Sequence, residues 1–368
     1  MIHFWVPAAA AAPEEVLAWD PDLEPTRYAS GVGHNLLELG VRLARSGVEV
    51  SLGEEVPPGT ALVVVFAKSI HQKSVPERVR LRSVLDAGRN AGGRFAVVRS
   101  DAPASWTFPV RPVVEFMATR QAVQRSWQQW LPPLTQRGLV PRRRERYGQI
   151  RCLAFKGNHG TVPPVLRSAE WTDALAARGI EWRLDAPELK DRSDQSWHDF
   201  ATVDAVLCTR VARSSDIVER KPATRLINAW VAGCVPLVDP EVSYLELGTD
   251  GSDAFFVDTP LDGLDVLDRL NGNRDLLRGV ELRIGERASE YAATTTFQRW
   301  RDALLAAAEP TGEAGRRRVR SVRLVRARAT VAAADRFDPQ LSWLGRAVAP
   351  ARRRAGRVKR ALLRLKPS

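Results

Sequence analysis

The 368-residue chain is poor in the residues that build covalent or metal-bound scaffolds. Its three cysteines, Cys152, Cys208 and Cys234, include no C-x-x-C pair, which excludes a disulfide framework and zinc-finger spacing. Its five histidines show no ligand spacing, and Asp20-Pro21-Asp22, the nearest approach to an Asp-x-Asp motif, falls in a loop near the N-terminus. No metal site is therefore expected. No apolar run approaches the ~18 residues of a membrane span. Met1-Ile2-His3-Phe4-Trp5-Val6-Pro7 lacks the basic region that opens a signal peptide, which predicts a cytoplasmic protein. The third glycine of a dinucleotide fingerprint is also missing, because Leu36 stands where it would follow Gly31 and Gly33. A nicotinamide dehydrogenase is thereby the least favoured enzyme class.

What is present is an ordinary globular composition, 44% hydrophobic and 27% charged, long enough for two domains that each bury a core. The net charge of +12 is unevenly placed. Gly315 to Ser368 holds 17 Lys and Arg against only Asp335 and Asp338, so the body before it is mildly acidic, at −3. In this tail Arg316 to Arg328 and Arg352 to Lys366 interleave basic residues with Val and Leu, as basic amphipathic segments do. Such segments dock on anionic bilayers with about 1 kcal/mol per basic residue near the surface. Aromatic platforms are sparse there (Phe337, Trp343), which argues against nucleic acid as the partner. The tail predicts peripheral attachment to the inner face of a membrane.

The body alternates strand-like and helix-like stretches, the pattern of a parallel sheet. Ile2–Val6, Val48–Leu52, Ala61–Phe66, Phe95–Val98 and Val113–Phe116 read as strands. Amphipathic stretches follow Asn35 and run over Pro76–Asn90 and Gln121–Trp130. Leu131 to Arg144, rich in Pro and basic residues, reads as a linker, after which the pattern restarts. Strands are predicted at Ile150–Phe155, Ile180–Leu184, Val203–Thr209, Val235–Val238 and Phe255–Val257. Helices are predicted at Pro164–Arg178, Thr224–Ala232, Leu264–Leu270, Arg274–Tyr291 and Phe297–Ala307, with Trp197–Phe200 in a further helix. The expected organisation is 1–131 as a first Rossmann-like domain, 132–148 as linker, 149–308 as a second, and 309–368 as the basic tail.

Three stretches carry candidate chemistry. Gly31-Val32-Gly33-His34-Asn35 precedes a helix, where backbone N–H groups can face a polar ligand. Lys156, in Phe155-Lys156-Gly157, follows the first strand of the second half, at an end where α/β sheets bind ligands. The third stretch runs from Glu219 to Val238. Pro222 suits a helix start, Lys221 and Arg225 stand four apart, and Gly233 stops the helix before Val235-Pro236-Leu237-Val238. Asp239, Glu241 and Tyr244 then lie just past the strand.

Lys221 to Val238 resembles the nucleotide-sugar site of GT-B glycosyltransferases, in the form whose helix ends Ala-Gly-Cys-Val-Pro. The glycine loop, the linker and the Phe-Lys-Gly restart occur in the order that family shows, so the resemblance covers most of residues 1 to about 305. It implies an α/β fold of GT-B type, two Rossmann-like domains facing across a cleft. It implies a sugar transferred from a nucleoside-diphosphate sugar to a hydroxyl of a glycan or lipid-linked acceptor, in cell-surface glycan assembly. On this reading Lys156, Arg210, Lys221, Arg225, Asn228 and Glu241 hold the donor, with Gly31 and Gly33 across from them. Many retaining relatives carry two glutamates eight apart; here those places hold Arg220 and Asn228. With no Asp-x-Asp at a strand end, a metal-free mechanism without added cofactor is expected, the basic set neutralising the leaving diphosphate. An inverting reaction needs a base from the first half, for which Asp101 and His34 are the candidates. Two alternatives stand beside this reading: a catalytically silent scaffold of the same fold that binds a glycan or protein partner, and nucleic-acid binding through the tail.

Overall fold

The computed structural model describes residues 1–6, 12–71, 94–100, 102, 108, 111–187, 196–211 and 221–309. Its strands are β1 (Ile2–Trp5), β2 (Val50–Gly53), β3 (Leu62–Phe66), β4 (Arg94–Val98), β5 (Val114–Met117) and β6 (Gln128–Trp130), then β7 (Cys152–Lys156), β8 (Glu181–Asp185), β9 (Ala205–Cys208), β10 (Val235–Val238) and β11 (Phe255–Phe256). The first six form one sheet in the order β2-β1-β3-β4-β5-β6, and the other five form a second in the order β11-β10-β9-β7-β8. Every pairing is parallel. The continuous apolar run of β3 shows why. Leu62, Val64 and Phe66 enter one core cluster while Val63 and Val65 enter another, so both faces of the strand are covered.

Three sequence expectations change. Gln121–Trp130 is not a helix: β6 occupies Gln128–Trp130 as the edge strand beside β5. The Gln128 side chain closes the preceding turn, its Oε1 accepting from the Gln124 and Arg125 backbone N–H groups and its Nε2 donating to Glu115. Ladder and turn together overrule the helical spacing of the apolar residues. Pro164–Arg178 is split into a 3-10 turn at Pro164–Arg167 and a helix at Ala169–Ala176, because Ser168 caps the latter by accepting from the Trp171 N–H at 3.2 Å. Trp197–Phe200 is a turn whose Asp199 bridges to Val140. The helix expected at Pro76–Asn90 and the tail lie outside the described residues.

The connection between the sheets changes allegiance abruptly. Leu131 and Leu134 pack into the core under the first sheet, and the Arg137 Nε donates to Pro25 O at 2.6 Å. Gly138 follows with φ +61°, its N–H donating to Asp22 Oδ1; a Cβ there would meet Asp22 O at 2.7 Å. Two residues on, Val140 N donates to His198 O and Arg142 N to Ala232 O, both in the second half. Buried Arg142 then donates to Asp204 and Glu281, locking this stretch onto the second sheet. The chain crosses back once more. Trp300, Leu304 and Ala307 of the helix Ala293–Ala308 enter the first half's core, and Trp300 Nε1 donates to Pro132 O.

Candidate functional site

Parallel strands bring all their carboxyl ends to one edge, and in the second sheet charged groups converge there. The helix Thr224–Val231 begins behind Pro222, and Arg225 in its first turn reaches across the ends of β7 and β9. Its Nη1 donates to Thr209 O at 2.8 Å and its Nη2 to Thr161 Oγ1 at 3.2 Å, with the guanidinium 4.8 Å from the Phe155 ring centroid. The guanidinium passes so close to Gly157 that a Cβ at that position would collide with Nη2. Arg210, just past β9, donates its N–H to Asp239 Oδ2 and its Nη2 to the Tyr244 hydroxyl, and forms an ion pair with Glu241. Glu241 stands immediately before the short helix Val242–Leu245, and both Glu241 and Tyr244 are buried.

The electrostatics of this edge favour an incoming anion. Burial and the neighbouring charge of Arg210 push the Arg225 guanidinium below its ordinary value. Burial raises the Asp239 carboxyl to about 7 against the opposing hydrogen bond from Arg210 N–H. Burial likewise raises Glu241, although Arg210 and Arg225 act the other way, and the charge of Lys221 also reaches it. Among the described residues no carboxylate lies within ion-pair distance of Arg225. Among the described residues, Arg210 and Arg225 thus face Glu241, which is paired with Arg210, and Asp239, whose carboxyl is raised to about 7.

The remaining sequence candidates, Lys156 at the carboxyl end of β7 among them, make other contacts. Lys156 is buried and donates to Asp185 Oδ2 at 2.5 Å and to Ser196 O at 2.9 Å, so its ammonium is held within the second half. Asn228 is 8% exposed, and its Oδ1 accepts the backbone N–H of Gln136 in the connection, at 2.9 Å. In the glycine loop, the Gly33 N–H donates to Ser30 Oγ and the His34 N–H to Ser30 O, so these two groups do not face a ligand. Gly33 is required by packing, since a Cβ would lie 2.8 Å from Tyr28 O. Gly31 is exposed beside the Phe66 ring at the end of β3. The loop winds as a π-turn, Gly33–Leu37, into the helix Glu38–Arg45. There His34 Nδ1 sits 3.1 Å from Arg137 Nη1 and 3.4 Å from Glu38 Oε2. Asp101 lies outside the described residues.

No family model and no curated protein matches the sequence. Solved structures do match the fold. The chain is similar to HepE (Alr3699) of Anabaena in complex with UDP, at 12% identity and a TM-score of 0.50, over 83% of this chain and 99% of that one. The fold is GT-B. Fainter likenesses are AviGT4, a glycosyltransferase involved in avilamycin A biosynthesis (17% identity, TM-score 0.40, 82% of this chain and 98% of that one), and WaaG, a glycosyltransferase involved in lipopolysaccharide biosynthesis (16%, 0.39, 82% and 99%). In this GT-B chain the cation-rich edge belongs to the second Rossmann-like domain. Sequence reasoning did not find the Arg225 contact to Thr161, nor Glu38 and Arg137 beside His34. The first and last depend on tertiary approach, but Glu38 stands four residues from both His34 and Arg42, a helical spacing that was readable.

Proposed function

We propose that the protein is a glycosyltransferase that takes a sugar from a nucleoside-diphosphate donor and passes it to a hydroxyl acceptor. The observation that carries this reading is the pair of half-buried guanidinium groups, Arg210 and Arg225, at the strand ends, where among the described residues no carboxylate lies within ion-pair distance of Arg225. A diphosphate at the strand ends supplies the missing charge. In the reaction the bond from the sugar to the diphosphate breaks, a bond to the acceptor oxygen forms, and the acceptor hydroxyl loses its proton. The guanidinium pair stabilises the charge that grows on the departing diphosphate, the task a divalent ion performs in other transferases. The complex of HepE with UDP supports a uridine diphosphate as the first probe. His34 Nδ1 is engaged by Arg137 Nη1 and Glu38 Oε2, which leaves Nε2 as the ring nitrogen to meet a substrate. Asp101 is then the proposed base of an inverting reaction. A glycan or lipid-linked acceptor of the cell envelope is the proposed acceptor class.

Calorimetric titration with UDP and GDP tests the reading directly. The wild-type chain is expected to bind at least one of them, and Arg225→Met to weaken that affinity about a hundredfold, as for removing a half-buried charged partner. Absence of binding to any nucleoside diphosphate would sink the assignment. One observation favours a second reading, a silent scaffold of the same fold. Asn228 stands where many relatives carry a glutamate, and its side-chain oxygen holds the connection. Release of UDP or GDP from a panel of nucleotide sugars separates the two, since a scaffold releases none.

A further inference from the structure

Val238 of β10 lies beside Cys208 of β9, so the chain leaves both strands at one place, through Thr209 and through Asp239. Three side chains here, Thr209, Glu241 and Ser243, are 1%, 2% and 2% exposed. Among the described residues, Thr209 Oγ1, Glu241 Oε2 and Ser243 Oγ have no hydrogen-bond partner. Each such buried atom costs about 1–3 kcal/mol, and folded chains hold few of them. Three at the carboxyl end of one sheet therefore call for a partner. Glu241 has one charged contact, between its Oε1 and Arg210 Nε. Two other polar groups of this half are already spent. Lys156 donates to Asp185, and Asn228 Oδ1 accepts from the Gln136 N–H.

The mixture of groups selects the chemistry of that partner. An ionised carboxylate only accepts hydrogen bonds, whereas a Ser or Thr hydroxyl both donates and accepts. An ionised phosphate has no proton for Glu241, and an ammonium has no lone pair for the two hydroxyls. An alcohol hydroxyl serves both. A diphosphate held by Arg210 and Arg225 carries such hydroxyls on either side, on the pentose of its nucleoside and on the sugar to be transferred. A base also donates and accepts, but it lies beyond the pentose, one ring further from the phosphates. Glu241 touches Arg210 itself, which favours the nearer groups.

We propose that Glu241 is a specificity-determining residue that accepts a hydrogen bond from a hydroxyl of the donor's pentose or transferred sugar, with Thr209 and Ser243 completing the contact. The proposal rests on the donor-site reading given above and assigns the part of the donor that this carboxylate meets. The diphosphate draws the Arg210 guanidinium to itself, and the hydroxyl takes its place on Glu241. Before the donor arrives, the ion pair neutralises both groups; afterwards each has a partner on the ligand. A carboxylate that would repel a bare diphosphate thereby favours one that carries a sugar.

The test is calorimetric titration of the full chain, wild type and E241M, in two arms. The pentose arm compares UDP with 2′-deoxy-UDP and 3′-deoxy-UDP, or the guanosine series where GDP is the nucleotide bound. The sugar arm compares the nucleoside diphosphate with its glucose, galactose and N-acetylglucosamine conjugates. In one arm the hydroxyl contact is expected to contribute about thirtyfold in Kd to the wild type, as for a hydrogen bond to a charged group, and almost nothing to E241M. S243A should show the same loss in the same arm, to a smaller degree. The wild type alone decides the matter where a variant fails to fold, since equal Kd values across both arms would overturn the proposal. So would a hydroxyl effect that persists undiminished in E241M. A wild type that binds no nucleoside diphosphate would overturn the donor-site reading and this proposal together, whereas binding without hydroxyl dependence overturns the proposal alone.

Discussion

In the first half, the fully buried carboxylate of Glu38 accepts from Arg42 Nε at 3.1 Å and Arg137 Nη1 at 3.3 Å, with His34 Nδ1 at 3.4 Å. In the second half, the guanidinium of Arg225 meets a carbonyl oxygen, a hydroxyl oxygen and the Phe155 ring, with no carboxylate in ion-pair distance among the described residues. Burial alone would raise the Glu38 carboxyl, but the hydrogen bond and charge of His34 and the charges of Arg137 and Arg42 outweigh it and hold it below its ordinary value. At Arg225 burial and the neighbouring cation act together against the charge. The first centre is complete as it stands and explains how helix and connection are held. The second is electrically incomplete among the described residues, and that imbalance is what motivates the proposed ligand site. Charge alone does not separate structure from function; the balance of charge does.

Glu38→Ala should break this contrast most strongly. It leaves buried cations without a partner and is expected to cost about 3–5 kcal/mol of stability in urea denaturation. The nucleotide affinity of the chain that remains folded should not change. Arg225→Met is the mirror image, losing affinity with stability nearly intact, and an exchange of these two outcomes would overturn the distinction.

A smaller effect comes from pH. In the folded chain Asp239 keeps its proton up to about 7, whereas its ordinary value is 3.8. Between these values the folded state binds the extra proton, so this group makes folding less favourable as pH rises. Above about 7 the added negative charge beside Arg210, Arg225 and Glu241 opposes an anionic ligand. Nucleotide affinity should therefore fall as pH rises through that value, and Asp239→Asn should flatten the profile. A profile unchanged by the substitution would exclude Asp239 as its source. The smallest effect is expected at the joint between the halves. Asn228→Ala removes the acceptor for the Gln136 N–H and should cost about 1 kcal/mol, while Asn228→Asp, which keeps an acceptor oxygen, should cost less.

Much of the fold was legible because its signals are local. The apolar run of β3, the stop at Gly233 and the alternation of strand and helix identify the parallel sheets without tertiary information. The charged edge was legible for the same reason: Lys221, Arg225 and Glu241 flank one helix and one strand within a short stretch. Lys156 was not. Its partner Asp185 is its register neighbour in the β7–β8 ladder, 29 residues on, and only the pairing of the strands brings them together. The stretch before β6 misled because its apolar spacing is helical, whereas the Gln128 side chain and the edge of β5 decide its conformation.

The return of the helix Ala293–Ala308 to the first half has a mechanical consequence. Met1 O accepts from Ala61 N, Ala61 O accepts from Arg94 N, and the Arg94 side chain reaches Glu309 O. Tension applied between Met1 and Glu309 would run through this short path across β1, β3 and β4. The second half, attached at both of its ends to the first, hangs outside the line of force as a shielded loop. It would carry no load until the helix Ala293–Ala308 had been drawn from the first half's core.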